Sequence, residues 1–150
     1  KPLRSQKQND YLFKRRNKGN LTMASADKSG ILKIQRALKN SELVGMLPDQ
    51  DPGVEGGIMA PFFNTKANTM TLLAKIAKKN DLQVLIFWAK RLPRGEGYEL
   101  NLEPIDLNIN GDTLEGQVAS MNQCVENLIR KMPEQYMWSY KRFKSTHSYG

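Results

Sequence analysis

Two carboxylates one residue apart, Asp49 and Asp51, stand between Pro48 and Pro52 in the stretch Met46-Leu47-Pro48-Asp49-Gln50-Asp51-Pro52-Gly53. Each proline restricts the residue before it to extended backbone, so Leu47 and Asp51 are stiffened and the two acids are held in place. Acids held on stiff backbone suit positioning chemistry. Short acids before Pro-Gly also cap turns, and on spacing alone that plainer reading is favoured. A metal would need more oxygen ligands, and Glu55 is the only further acid nearby. Cys124 and His147 are the sole cysteine and the sole histidine, which excludes an internal disulfide and leaves no zinc set. Cys124 falls on an apolar helix face and reads as a small core residue.

The cations are the second chemical feature. The formal charge of +8 is concentrated at the two ends. Lys1, Arg4, Lys7, Lys14, Arg15, Arg16 and Lys18 face one acid, Asp10, and Lys141, Arg142 and Lys144 crowd the far end. Such ends attract phosphate, in nucleic acid, in anionic lipid headgroups or in a phosphorylated small molecule. A solvated basic face without a ligand fits the charge equally well.

The elements that must position these groups alternate in type. Length and composition (150 residues, 39% hydrophobic, 25% charged) suit one globular domain over 1–150. The sequence begins at Lys1 and not at Met, so a processed or longer parent is expected. No apolar run approaches the length of a spanning helix, and no signal-peptide pattern opens the chain. Apolar spacing predicts helices over 10–18, 27–40 (with Ile31, Ile34 and Leu38 on one face) and 69–79. A further long helix, opened by an Asp112–Glu115 capping box and closed before Pro133, turns Val118, Met121, Val125, Leu128 and Ile129 inward. Strands are expected over 21–24, 43–47 and 83–89. Residues 98–103 form another, antiparallel to its predecessor, with Tyr98, Leu100 and Leu102 dry and Glu99, Asn101 and Glu103 wet. Residues 49–63, with three glycines and two prolines, read as a long loop. The pattern predicts an α/β fold with a mainly parallel sheet flanked by helices and an antiparallel edge hairpin. In such a sheet ligands bind beyond the carboxyl ends of strands, which is where Asp49 and Asp51 would then stand.

Three blocks carry a family resemblance: LPDQDPG at 47–53, APFFNTKANT at 60–69 and PEQYMWSYKRFK at 133–144. In this order they resemble the late acyltransferases of bacterial lipid A biosynthesis, the lauroyl and myristoyl transferase family. The opening KPLRSQKQND and RRNKG are similar to the family's stretch just after its catalytic segment. The resemblance runs over essentially all 150 residues and covers about the C-terminal half of a member.

What the resemblance implies is transfer of a fatty acyl chain from acyl carrier protein to a hydroxyl of a lipid A precursor, at the cytoplasmic face of the bacterial inner membrane, with no cofactor. The family's base is a His followed, after four residues, by Asp or Glu. No such pair occurs here, so the resemblance places it, with a membrane helix, upstream of Lys1, and the chain alone is expected to be inactive. Carried over residue by residue, Arg16 or its neighbour Arg15 would hold a phosphate or the developing oxyanion. Asp49 would order the pocket by bonding the arginine or a loop amide, and Asp51 would fix the loop. Phe62 and Phe63 would line the acyl channel, although paired aromatics are also ordinary core. The basic ends would face anionic headgroups or the acidic carrier protein. Tyr140 stands where many members carry a His. Two other readings are a catalytically inactive lipid-binding relative and a basic nucleic-acid-binding α/β domain. The latter lacks any RNP, zinc-finger or basic-aromatic strand motif, so no nucleic acid is expected.

Overall fold

The computed structural model describes residues 5–148, in two compact units, Lys1–Gly45 and Met46–Gly150. Each is described by itself. In the first, α1 spans Gln6–Arg16 and α2 spans Lys28–Lys39. Helix α1 buries none of its residues and carries Lys14, Arg15 and Arg16 in its last turn, where cations complement the helix dipole. Helix α2 is opened by Asp27, whose carboxylate accepts from the Gly30 amide at 3.0 Å and from the Ser29 and Ser25 hydroxyls at 2.7 and 2.8 Å. These three bonds, Ser29 first, hold the Asp27 carboxyl at about 2. Ile31, Ile34 and Leu38 share the partly buried side of α2.

In the second unit the order is β1 (Gly57–Phe62), β2 (Thr65–Met70), α3 (Leu72–Asn80), β3 (Val84–Arg91), β4 (Tyr98–Ile105) and α4 (Leu114–Lys131). Single 3-10 turns follow at Pro93–Gly95 and Pro133–Gln135. The strands form two separate antiparallel pairs, β1 with β2 and β3 with β4. The class is mixed α/β, but no parallel pair occurs among the described residues. The segments expected as strands at 21–24 and 43–47 have no regular structure, and Leu43 is almost fully exposed.

Residues 57–70, expected as part of a loop and the start of a helix, are a hairpin joined by Phe63 and Asn64. Pro61 lacks an amide hydrogen yet fits, because β1 is an edge strand. Phe63 takes a positive φ of 52°, costly for a bulky residue, and is held by its amide donating to Glu126 Oε1 at 2.6 Å. The small residues Ala60 and Ala67 let the hairpin lie close against α4. One core cluster gathers Ala60, Ala74, Ala77, Leu107, Val118 and Met121; the other gathers Phe62, Ala67, Val125 and Ile129.

Helix α4 has the predicted inward face, with Val118, Met121, Val125 and Ile129 buried. Its cap sits one residue later than the capping box proposed: Thr113 Oγ1 accepts from the Gly116 amide at 3.0 Å, while Asp112 faces Lys78 with its carboxylate 3.9 Å away. The β3–β4 pairing is antiparallel as expected, but the face expected to be dry is exposed. Leu85, Phe87, Leu102, Leu100 and Tyr98 share one face by register and all stand exposed. The opposite face meets the end of α4, where Lys131 Nζ lies 5.4 Å from the centre of the Trp88 ring and 3.5 Å from Glu103. Among the described residues no helix is long and apolar enough to cross a membrane.

Candidate functional site

The three sequence blocks, far apart in the chain, meet at Asp51. Its Oδ1 accepts from the Gly53 amide at 2.8 Å and from Asn68 Nδ2 at 3.0 Å, and its Oδ2 accepts from Ser145 Oγ at 2.6 Å. Its own amide donates to the Tyr140 hydroxyl at 2.8 Å. Asn68 Nδ2 also donates to Gly53 O at 2.9 Å. One turn (51–53), one strand (β2) and the closing segment (140–145) are thereby tied together. Gly57 makes the approach possible: a Cβ there would meet Asn68 Oδ1 and stand 2.7 Å from Thr69 O.

Arg142 lies at the centre of this corner and is 2% exposed. Its Nη1 donates to Asn68 O at 2.7 Å and its Nη2 to Thr69 Oγ1 at 2.8 Å, while its guanidinium lies 5.1 Å from the centre of the Phe62 ring. Thr69 Oγ1 also accepts from Asn122 Nδ2 at 3.0 Å and donates to Ala67 O at 3.1 Å. Asn122 in turn donates to Pro61 O at 2.7 Å. A buried cation is therefore bonded to neutral oxygens. Among the described residues no carboxylate lies within ion-pair distance of it, and its Nε has no hydrogen-bond partner. Burial pushes the Arg142 pKa down, opposed by the fields of Tyr136, Tyr140, Asp51 and Asp49. Guanidinium nonetheless stays protonated in proteins. Burial would raise the Asp51 carboxyl, but the bonds from Ser145, Gly53 and Asn68, with Lys144 nearby, outweigh it and hold the group below the usual carboxylate range.

The two acids have different surroundings. Asp51 is 9% exposed and engaged on both oxygens. Asp49 is half-buried, and its carboxylate forms no hydrogen bond or ion pair with any described residue. The acid that takes the loop amide is thus Asp51 and not Asp49. Arg15 and Arg16 are exposed on α1, in the first unit, and Arg15 Nε donates to the Tyr11 hydroxyl at 3.1 Å. Phe62 is core, 2% exposed, with its ring centre 5.0 Å from that of Phe63 and 5.9 Å from that of Phe143. Phe63 carries the Arg130 guanidinium 4.8 Å from its ring centre. Of the basic run near the end, Lys141 and Lys144 are exposed, whereas Arg142 is buried and forms no part of a charged surface. No group of three carboxylates, histidines or cysteines gathers as a metal site among the described residues.

Asn68, Thr69, Asn122 and Ser145 were not legible as site residues. Their only local signal is polarity inside an apolar strand or helix face, as in Ala67-Asn68-Thr69.

Comparison with known proteins places this corner in a family. Residues 2–145 match the family model described as bacterial lipid A biosynthesis acyltransferase. The lipid A biosynthesis lauroyltransferase of Escherichia coli (strain K12) is 34% identical over 120 residues, 79% of this chain and 39% of that protein. The palmitoleoyltransferase of the same strain is 36% identical over 118 residues, 75% of this chain and 37% of that protein. A lipid A biosynthesis acyltransferase of Haemophilus influenzae is 29% identical over 113 residues, 75% of this chain and 35% of that protein. The chain thus spans under two fifths of the length of these relatives. With the match running through the Asp49–Asp51 turn, β2 and the closing segment alike, the chain belongs to the bacterial lipid A biosynthesis acyltransferase family.

Proposed function

We propose that this chain is the substrate-holding part of an acyltransferase that moves a fatty acyl chain from acyl carrier protein to a hydroxyl of a lipid A precursor. Family membership gives the reaction class. The observation that carries the site is the contrast between the acids: Asp51 is fully engaged in a buried network, and Asp49, two residues away, bonds its carboxylate to none of the described residues.

In this reading the acceptor hydroxyl oxygen attacks the acyl carbonyl carbon, the carrier thiolate leaves, and the hydroxyl proton passes to a histidine lying outside this chain. Asp49 accepts a hydrogen bond from the acceptor. The Arg16 guanidinium supplies paired donors to a phosphate or to the developing oxyanion. Phe62 and Phe63 back the acyl pocket. A larger, mainly parallel sheet is completed by other parts of the protein. The exposed lysines and arginines sit against the anionic cytoplasmic face of the inner membrane or against the acidic carrier.

The test is Asp49→Ala and Arg16→Ala in the full-length enzyme. Each is expected to lower kcat/KM by at least about tenfold, roughly 1.4 kcal/mol of transition-state stabilisation, with the melting temperature retained. Near-wild-type activity in both would overturn the site.

A further inference from the structure

We propose that the closing segment, through Tyr140, Arg142 and Ser145, is a positioning clamp for Asp49: it contacts no substrate and sets the geometry of the turn that presents that carboxylate. This rests on the reading of Asp49 given above.

The turn has few supports of its own. Within 49–53 the local bonds are the Asp51 carboxylate with the Gly53 amide and the constraints of Pro48 and Pro52. Gly53 O also accepts from the Gly56 amide at 3.3 Å, and among the described residues the other side-chain bonds to the turn come from Asn68 on β2 or from the closing segment. Tyr140 takes the Asp51 amide hydrogen, Ser145 gives the short bond to Oδ2, and Arg142 holds the Asn68–Thr69 backbone from which the Asn68 side chain reaches Asp51 and Gly53. Two anchors therefore bond Asp51 directly and a third, Arg142, acts through Asn68, all from one stretch of six residues. Asp49 is tied to Asp51 through a single residue, Gln50, within the same turn and bend at 48–50, so a shift of Asp51 is passed on to it. A small displacement of a group that orients a substrate is enough to lower a rate substantially.

The arrangement suits positioning better than ligand binding. Arg142 is too buried to meet a substrate, and its donors Nη1 and Nη2 are both engaged. Tyr140 and Ser145 turn their oxygens to Asp51. Tyr140 also acquires a task here: its phenol oxygen accepts the main-chain amide of Asp51.

A double-mutant cycle in the full-length enzyme tests the clamp. Tyr140→Phe and Ser145→Ala remove one bond each at half-buried or exposed positions and should fold. Each is expected to lower kcat/KM by about three- to tenfold, mainly in kcat, and the same changes made in an Asp49→Ala background should cost less than about twofold, since coupled residues are not additive. Arg142→Lys should behave likewise where it folds. A purely structural role would give equal fold-losses in both backgrounds, and that result, or no loss in either single variant, overturns the clamp. If Asp49→Ala itself leaves activity intact, the site reading fails and the clamp with it. If Asp49→Ala is impaired but the losses are additive, the clamp alone fails.

Discussion

Asp49 and Asp51 are chemically identical and two positions apart, so everything that distinguishes them is environment. Asp51 is buried among donors, and its depressed pKa makes it an acid-sensitive stabiliser. Its ordinary value is 3.8, and in the fold it lies lower. A depressed carboxyl contributes its stability in full above the unfolded value, and the contribution disappears as pH falls through the unfolded and then the folded value. The urea midpoint of the wild-type chain should therefore exceed that of Asp51→Asn at pH 6, and the gap should close as pH is lowered toward about 3. Asp27, held at about 2 in the first unit, also loses its charge in acid, so the difference between the two proteins is the quantity to measure. A gap that does not narrow on acidification would show that the Asp51 bonds do not depend on its charge. The family resemblance suggested a loop-fixing role for Asp51, and the two prolines suggested only a stiffened backbone. Neither could reach the partners, because Tyr140 and Ser145 lie 89 and 94 residues away and no periodicity marks a contact of that span.

Elements were legible where their signal is local. Asp27 with the apolar stripe of α2, and the inward face of α4, follow from caps and from the helical repeat alone. The β1–β2 hairpin was hidden because its glycines and its Pro61 read as breakers. They are there because an edge strand tolerates the missing amide and because Gly57 must let the Asn68 side chain pass. The start of α4 was misplaced by one residue, since Asp112 and Thr113 are both good caps and only the fold chooses between them. That choice can be measured: Thr113→Ala should cost about 1 kcal/mol of unfolding free energy, the usual worth of an N-cap bond. Asp112→Ala, which loses only an exposed contact with Lys78, should cost less than about 0.5 kcal/mol. Equal losses in urea titrations of the two would return the cap to Asp112.

At the scale of the whole chain, the feature with most physical weight is the bare face of the β3–β4 pair. Phe87 is 54% exposed, Leu102 57% and Leu100 63%, side by side on one surface. A two-stranded ribbon with an uncovered apolar face is a template for association. The isolated 150-residue chain should therefore elute above its monomer mass at micromolar concentration, and Phe87→Lys with Leu100→Lys should return it toward monomer. Unchanged monomeric elution of the parent would contradict this. The polarity alternation of 98–103 was visible in the sequence, but which side is covered was not, since that depends on what else packs there. A last consequence concerns time. The corner around Asp51 closes a loop of some ninety residues, and bringing such distant segments together is entropically slow compared with forming α2 or the β1–β2 turn. During synthesis every acid of the turn is therefore present long before it is fixed. A nascent chain acquires its arranged carboxylates only when Tyr140 to Ser145 have left the ribosome, so the turn stays unfixed while about ninety intervening residues are made.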